Sequence, residues 1–262
     1  MLLHPLNNLL MVQLRGTFTH ILAKLLRPLP PQYLESLLSR LISAQVARMT
    51  PGEALRLLFR LDGFFYSLQG QKAVEYGGGI HTKHRHTHYH DFFISNIQPG
   101  ERILDVGCAS GVVAYEVAER AKAYVVGMDV SAELIAQARE RYPHPRVTFM
   151  VGDVLYQLPD GPIDVVIISN VLEHLTERPA FLSRLMESLS PSRFLIRVPL
   201  FDRDWRVPLK RELGVEWRLD LTHEVEYTVE SFSEEMVNAG LRISQQEVRW
   251  GELWAVVEPH VE

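Results

Sequence analysis

Short apolar runs alternate with segments of helical periodicity over the last two thirds of the chain. The runs are rich in Val, Ile and Leu, which is typical of strands buried on both faces of a parallel sheet. Because helical segments separate most of these runs, we expect an α/β fold with helices on both faces of the sheet. Seven strands are predicted, at residues 102–106, 123–130, 147–151, 163–169, 193–199, 242–248 and 252–258.

The N-terminal part of the chain shows a different pattern, with leucines at helical spacing and no strand-like run. Prolines within residues 28–31 end a first helical segment, and a second is predicted over residues 33–49. The sequence Thr-Pro-Gly-Glu at residues 50–53 is a capping box with proline at the first helical position. A third helix is therefore predicted to begin there.

Three adjacent glycines at residues 77–79 favour neither helix nor strand. We expect the chain to loosen over residues 70–82, at a joint between two parts of the molecule. The predicted organisation is a helical extension or cap over residues 1–80 and an α/β domain over residues 81–262.

A loop bracketed by Gly107 and Gly111 follows the first strand and precedes a helix. A strand, a glycine loop and a helix N-terminus in this order are typical of a nucleotide-binding element. A dinucleotide fingerprint requires the pattern G-x-G-x-x-G. Ala109 and Val112 occupy the second and third glycine positions, so that fingerprint is absent.

Two carboxylates indicate which nucleotide the loop would accept. Asp105 lies where a pyrophosphate would approach, and its charge would repel that group. The same charge suits an ammonium or sulfonium group, and S-adenosylmethionine carries both. Asp129 follows 24 residues later, at the end of the second strand, where an acidic residue binds ribose hydroxyls.

The motifs LDVGCASG, GMDVS, VGDV and DVVIISNVLEHL resemble those of the class I S-adenosylmethionine-dependent methyltransferases, over roughly residues 94–258. The resemblance is to the ubiquinone-biosynthesis O-methyltransferase-like branch, and it implies a Rossmann-like, seven-stranded, mostly parallel sheet. It also implies that Asp153 contacts the adenine amino group, that Val154 packs on the ring, and that Lys83 or Arg85 pairs with the methionine carboxylate. The alternative is a Rossmann-like domain whose glycine loop binds no cofactor. The cofactor-binding residues implied are Arg85, Asp105, Gly107, Cys108, Ala109, Gly111, Asp129, Val130, Asp153, Val154 and Asn170.

Candidate catalytic residues follow the fourth strand, at Glu173 and His174. His174 is the best candidate for a general base because imidazole titrates near neutral pH. Glu173 could orient it or bind substrate, and the resemblance makes His223 a second base or ligand. Related enzymes bind a divalent metal through Glu-x-x-Glu-His, but Asn170 replaces the first Glu here, so no metal site is predicted, although a divalent metal could bind. Alternatively, Glu173 and His174 only cap the next helix.

Five histidines lie within residues 81–90, together with Lys83 and Arg85. If this segment is one helix, His84 and His88 share one face while His86 and His90 share another, so all five cannot converge. Three interpretations stay open: a lining of the cofactor and substrate pocket, a metal site, or an exposed polar helix.

The connection over residues 201–228 is too long for a simple turn and holds several aromatic and basic residues. We interpret it as a lid over the substrate, whose basic residues would favour an anionic acceptor. A charged surface hairpin is the alternative.

Composition narrows the classes of partner and compartment. The chain of 262 residues carries a net charge of −5, which argues against a nucleic-acid-binding surface. Cys108 is the only cysteine, so there is no intrachain disulfide, consistent with a reducing, cytoplasmic compartment. Residues 1–30 form a cationic amphipathic pattern without a spanning segment. This pattern could contact the inner membrane face, pack on the protein, or join a homodimer.

The sequence therefore predicts an S-adenosylmethionine-dependent methyltransferase that methylates an oxygen of a small or lipid- or glycan-linked acceptor, with the basic residues of the 201–228 connection favouring an anionic one. An RNA 2′-O-methyltransferase and a non-catalytic, cofactor-binding assembly partner are the alternatives.

Overall fold

The computed structural model describes residues 20–260, which form two compact units, one ending at Phe59 and the other beginning at Arg60. The predicted amphipathic segment over residues 1–30 lies largely outside the described residues, apart from a helical stretch at 20–26. The domain boundary near residue 80 stays a prediction. Within residues 20–260, none of the helices combines the length and hydrophobicity that spanning a bilayer requires.

Helices α1 (Pro31–Val46) and α2 (Pro51–Tyr76) follow the predicted pattern. The capping box is confirmed, because the Glu53 carboxylate accepts hydrogen bonds from the Thr50 backbone N–H at 3.0 Å and the Thr50 hydroxyl at 2.7 Å. The expected loosening from residue 70 is wrong, since α2 continues through Gly70 to Tyr76. A glycine costs only about 1 kcal/mol inside a helix, which this 26-residue helix tolerates.

The predicted α/β, Rossmann-like fold with a seven-stranded, mostly parallel sheet is confirmed. The strands are β1 (Arg102–Val106), β2 (Tyr124–Asp129), β3 (Val147–Val151), β4 (Val165–Ser169), β5 (Arg193–Pro199), β6 (Leu241–Arg249) and β7 (Glu252–Pro259). Their order in the sheet is β3-β2-β1-β4-β5-β7-β6, with β7 antiparallel to both β5 and β6.

Helices cover the sheet and connect its strands. The short helix Val112–Glu116 continues into a π-helical turn at Val117–Ala121. A 3-10 turn, Leu172–His174, follows β4. The remaining helices are α3 (Lys83–Thr87), α4 (Tyr89–Ser95), α5 (Val112–Glu116), α6 (Ala132–Arg141), α7 (Arg178–Leu189), α8 (Arg206–Glu212) and α9 (Val229–Asn238).

The core lies on both faces of the sheet. Ile103 and Val165 pair across β1 and β4 on one face, while Leu104 and Val166 pair on the other, and all four are fully buried. Since side chains alternate along a strand, an uninterrupted apolar run supplies both clusters. The carboxyl ends of the parallel strands consequently share one edge of the sheet, where the candidate site residues follow β1, β2 and β4.

Candidate functional site

The loop after β1 has a backbone that requires glycine at both ends. Gly107 (φ +64°) and Gly111 (φ +82°) are left-handed. A Cβ at Gly107 would lie 2.7 Å from Val171 Cγ2, and one at Gly111 would lie 2.6 Å from two ring carbons of Phe149. The loop is therefore packed directly against the segment after β4 and against β3.

Asp129 ties this loop to the end of β2. Its two carboxylate oxygens accept hydrogen bonds from the backbone N–H of Ala109 and of Ser131, both at 2.9 Å. The first bond holds Ala109 at φ +48°, a conformation unusual for a residue with a Cβ. Val130 beside it is exposed. The ribose contact expected of Asp129 stays a prediction.

Asp105 is buried at the end of β1, and its Oδ2 atom has no hydrogen-bond partner. Burial, with a contribution from Asp129, raises the pKa of Asp105 to about 7. A buried carboxyl oxygen without a partner would gain free energy from a cationic ligand. The geometry therefore fits the ammonium group that the sequence led us to expect.

Asp105→Asn should make stability less dependent on pH. An unfolded Asp titrates near 3.9, so the raised pKa means that the folded carboxyl binds a proton more tightly than the unfolded one. This residue consequently lowers stability progressively as pH rises from about 4 to about 7, and fully above that range. We expect the free energy of unfolding of the variant to exceed that of the wild type by on the order of 2 kcal/mol at pH 8, and to differ little from it at pH 4. Guanidinium titrations at the two pH values measure this, and an equal effect at both would contradict it.

The other predicted cofactor residues lie along the same edge. Cys108 is buried in the loop, and burial raises the pKa of its thiol, which disfavours the nucleophilic thiolate. Asp153 accepts a hydrogen bond from the Leu155 backbone N–H at 2.9 Å, and Val154 packs on the core. Asn170 is left-handed (φ +55°), and its Oδ1 atom is buried without a partner.

Glu173, His174 and His223, predicted from two distant segments, come together. One possible ligand atom of each residue lies within 4.8 Å of those of the other two. The centroids of the two imidazole rings are 4.6 Å apart, in an edge-to-face arrangement. The backbone carbonyl of Glu173 accepts hydrogen bonds from the N–H groups of Glu224 at 2.8 Å and Val225 at 3.3 Å. The end of the 201–228 connection is thus fixed to the turn after β4.

The three residues differ in exposure and in protonation. Glu173 is fully buried with both carboxyl oxygens unpartnered, and burial raises its pKa to about 7. His174 is exposed, whereas His223 is buried. Partial desolvation of its imidazole and the nearby His223 lower the pKa of His174, which favours the neutral ring at pH 7. The site therefore offers a neutral imidazole to solvent.

The three groups could also hold a divalent cation. Glu173 has free oxygens, and each histidine brings a ring nitrogen, the ligand types that such cations accept. Asn170 replaces a carboxylate of the resembling enzymes, which is why the sequence predicted no metal. Within residues 20–260, the histidines at 81–90 form no such ligand group.

The histidine-rich segment is not one helix, so the condition under which His84 and His88 would share a face is not met. His88 is left-handed (φ +55°) and separates α3 from α4. His84 Nδ1 instead lies 3.1 Å from His90 Nε2 and 3.0 Å from the Tyr89 hydroxyl. His90 Nδ1 lies 3.0 Å from a carboxylate oxygen of Glu116.

Most of these histidines line a cleft of about 370 Å³ beside α5. Arg85 lines it too, with its guanidinium 5.5 Å from the Tyr76 ring centroid, and so do Val112 and Glu116 of α5. Val112 follows Gly111 directly, so the cleft adjoins the loop after β1. The pairing of Arg85 or Lys83 with a methionine carboxylate stays a prediction.

Sequence reasoning missed Arg197, a buried charge in β5. Its guanidinium donates two hydrogen bonds to Glu252, both at 2.6 Å, and one to the Ser169 hydroxyl at 3.1 Å. It also lies 3.8 Å above the Tyr89 ring centroid. The signal was present, since an arginine inside the run RFLIRVP must find a partner when that strand is buried.

The basic residues of the 201–228 connection are mostly paired with carboxylates. Arg203 pairs with buried Glu226, Arg206 with Asp204, and Arg218 with Glu216. Lys210 Nζ lies 3.0 Å from Asp62, and the Arg211 guanidinium lies over the rings of Phe201 and Trp217. These contacts satisfy the basic groups, so they do not by themselves favour an anionic acceptor. The lid role of the connection stays a prediction.

Comparisons with known proteins show that this chain is similar to methyltransferases. Residues 103–192 match a family model described as a methyltransferase domain. The chain is 28% identical over 159 residues to a 2-methyl-6-phytyl-1,4-hydroquinone methyltransferase of Synechocystis, covering 56% of this chain and 48% of that protein. It is 32% identical over 126 residues to a ubiquinone biosynthesis O-methyltransferase of Bradyrhizobium, covering 47% of this chain and 49% of that protein. The chain thus spans about half the length of these relatives.

Among solved structures, a magnesium protoporphyrin IX methyltransferase from Synechocystis with bound SAH superposes with a TM-score of 0.54 at 20% identity. The superposition covers 66% of this chain and 83% of that chain. An identity this low supports the shared fold alone.

Proposed function

We propose that this chain, whose residues 103–192 match a methyltransferase-domain model, is an S-adenosylmethionine-dependent methyltransferase that transfers a methyl group to a hydroxyl oxygen of an acceptor. The observation that carries the oxygen specificity is the cluster of Glu173, His174 and His223 at the carboxyl edge of the sheet. A hydroxyl must lose its proton during methylation, and a neutral imidazole can accept it.

In this proposal the loop at residues 107–111 and the carboxylates of Asp105 and Asp129 hold the cofactor. Asp105 faces its ammonium group and Asp129 its ribose. Methyl transfer from a sulfonium is an in-line displacement, and holding acceptor and methyl group in line can supply roughly 7–11 kcal/mol. His174 takes the acceptor proton, which can contribute about 10²–10⁴-fold more.

A divalent cation bound by the three residues would polarise the acceptor oxygen and ease loss of its proton. Our proposal does not require one, because His174 can remove the proton directly. Dialysis of the purified protein against a chelator tests whether activity requires a divalent cation, and we expect the methylation rate to stay unchanged. Loss of activity that Mg²⁺ or Mn²⁺ restores would instead assign the cluster to metal binding.

We further propose that the acceptor carries an apolar chain. Leu219 and Leu221 are exposed on either side of Asp220, next to the contact between Thr222 and His174. Trp205 and Trp250 are also exposed, and their segments are close, because Leu200 donates its backbone N–H to the Gly251 carbonyl at 3.0 Å. Apolar side chains at the rim of a polar site suit a lipid-linked or polyprenyl acceptor.

The acceptor class can be read from the fraction of a lysate that becomes labelled. Purified protein and tritiated S-adenosylmethionine should label the lipid or lipid-linked glycan fraction, and nuclease treatment should leave that label in place. Label lost to nuclease would support RNA 2′-O-methylation instead, which the net charge of −5 disfavours. No label in any fraction, with an intact binding isotherm for the cofactor, would favour a non-catalytic assembly partner.

We propose that the N-terminal helices bind an anionic membrane surface at its cytoplasmic face. Residues 20–59 carry five basic and two acidic residues, although the whole chain is acidic. Ile21, Leu25, Tyr33 and Leu41 are each more than half exposed. Exposed apolar side chains among basic ones match an acidic lipid headgroup layer in both hydrophobicity and charge.

Charge reversal at Lys24 and Arg27 should weaken binding to phosphatidylglycerol vesicles by at least about tenfold, since each basic residue near the surface contributes about 1 kcal/mol. Co-sedimentation with anionic and with zwitterionic vesicles measures the effect. Lys122→Glu, a reversal on the α/β domain, serves as the control and should bind as the wild type does. Equal pelleting with both vesicle types would contradict the proposal, and a concentration-dependent dimer by ultracentrifugation without vesicle binding would favour a homodimer.

A further inference from the structure

Two chains of hydrogen bonds within the 201–228 connection end on the histidines of the site. One runs from Asp220 through Thr222 to His174. The other runs from Glu226 to His223. Both chains contact Nδ1 of the imidazole ring, and the geometry decides where each ring carries its proton.

The first chain has only one consistent arrangement of protons. The Thr222 hydroxyl lies 2.7 Å from Asp220 Oδ1, and the backbone N–H of Thr222 donates to the same oxygen at 2.9 Å. These bonds lower the pKa of Asp220, so its carboxylate is ionised and can only accept. A separation of 2.7 Å between the two oxygens places the hydroxyl proton between them.

The Thr222 hydroxyl has a single proton, which it donates to Asp220. Its oxygen lies 2.9 Å from His174 Nδ1, so that oxygen must accept, and Nδ1 must carry the imidazole proton. A neutral imidazole protonated at Nδ1 has its lone pair at Nε2. His174 therefore presents Nε2 as a base or ligand atom.

The second chain gives the same result at His223. Its Nδ1 lies 3.3 Å from Glu226 Oε1. Glu226 Oε1 also accepts the Leu219 backbone N–H, and the Arg203 guanidinium donates to Oε2, so the buried carboxylate is held in an ion pair with Arg203. The ionised carboxylate can only accept, so His223 also donates from Nδ1, and a neutral ring with its proton there has its lone pair at Nε2.

We infer that Thr222 and Glu226 are positioning residues that hold His174 and His223 in the Nδ1–H tautomer, leaving both Nε2 lone pairs to the acceptor. Asp220 orients Thr222, and Arg203 orients Glu226. The purpose of this arrangement rests on the proposed function, because a base or ligand atom needs a free lone pair. Partners of this kind commonly fix the orientation of functional histidines.

Nitrogen-15 NMR of protein labelled at histidine tests the inference directly. Long-range proton–nitrogen correlations distinguish a protonated ring nitrogen from one with a lone pair, and His174→Gln and His223→Gln assign the two rings. We expect both rings of the wild type to carry the proton on Nδ1 at neutral pH. A proton on Nε2 of either ring would overturn the inference for that residue.

Thr222→Val removes the hydroxyl and keeps the shape of the side chain. We expect its His174 ring to populate both tautomers and its kcat to fall by about 10- to 100-fold, with Thr222→Ser restoring both the single tautomer and most of the rate. Thr148→Val, on an exposed position of β3, is the matched control and should change neither. An unchanged His174 tautomer in Thr222→Val would also overturn the inference.

The spectra separate this inference from the proposed function. The expected tautomers in a protein that methylates nothing would refute the function and leave the positioning role in place. Methyl transfer by a protein whose rings carry the proton on Nε2 would refute the positioning role alone.

Discussion

His174→Ala is expected to lower kcat for methyl transfer by about 10²–10⁴-fold, the range that a positioned general base contributes. The affinity for S-adenosylhomocysteine should change little, because our proposal places the cofactor on the loop at residues 107–111 and not on this side chain. Initial rates with tritiated S-adenosylmethionine and calorimetric titration of S-adenosylhomocysteine measure the two quantities separately. A loss of rate without a loss of cofactor affinity would locate His174 on the acceptor side.

His260→Ala is the matched control for this prediction. His260 is exposed near the end of β7, and its backbone N–H donates to the Gly240 carbonyl, a bond that the substitution preserves. Its rate should equal that of the wild type. A His174→Ala variant that kept full activity would remove the base from the mechanism and leave positioning of the acceptor as the source of catalysis.

Gly111→Ala should destabilise the protein by about 2–5 kcal/mol. The left-handed backbone at φ +82° costs a residue with a Cβ roughly 1–2 kcal/mol. The added methyl would also lie 2.6 Å from ring carbons of Phe149 and 2.9 Å from Ala138 Cβ, and overpacking of this kind costs about 1–3 kcal/mol. Domains of this size are stable by only about 5–15 kcal/mol. The midpoint of guanidinium unfolding should therefore fall clearly, and cofactor binding should weaken as the loop shifts.

Gly214→Ala separates the two costs. Gly214 is also left-handed, at φ +67°, but a Cβ there would meet no atom within 4 Å. This control should lose only the backbone contribution, roughly 1–2 kcal/mol. Equal losses at the two positions would show that Phe149 and Ala138 move aside at little cost, and that Gly111 is required for its backbone conformation alone.

The strands illustrate what local pattern can predict. The predicted bounds of β1, β3 and β5 match the structure, and the other four strands agree within two residues at each end. β1, β4 and β5 were recognisable because burial on both faces requires an apolar run, whereas β6, which is mostly exposed, was predicted from its pairing with β7 around the turn at residues 250–251. The loop after β1 was recognisable for a related reason, since the close approach of Val171 and Phe149 leaves room only for glycine.

The histidine-rich segment shows where local pattern failed. Spacing assumes a regular helix, but His88 adopts a left-handed conformation, and the segment turns so that His84 meets His90. For the basic residues of the 201–228 connection, the sequence did not reveal the partners. Their composition indicated an anionic acceptor, whereas Arg203, Arg206 and Arg218 are paired with carboxylates from the same connection. Composition reports the charges that are present, but not which of them neutralise one another.

The sequence by itself determined the α/β sheet, the glycine loop and the identities of the candidate site residues, because each depends on neighbours a few positions away. Only the tertiary structure decided how those residues meet. His174 and Thr222 are 48 positions apart, and their hydrogen bond exists because the 201–228 connection returns to the backbone of Glu173. The proton position on His174 follows from that long-range contact, which no periodicity along the chain encodes, whereas the one on His223 depends on Glu226, three positions away.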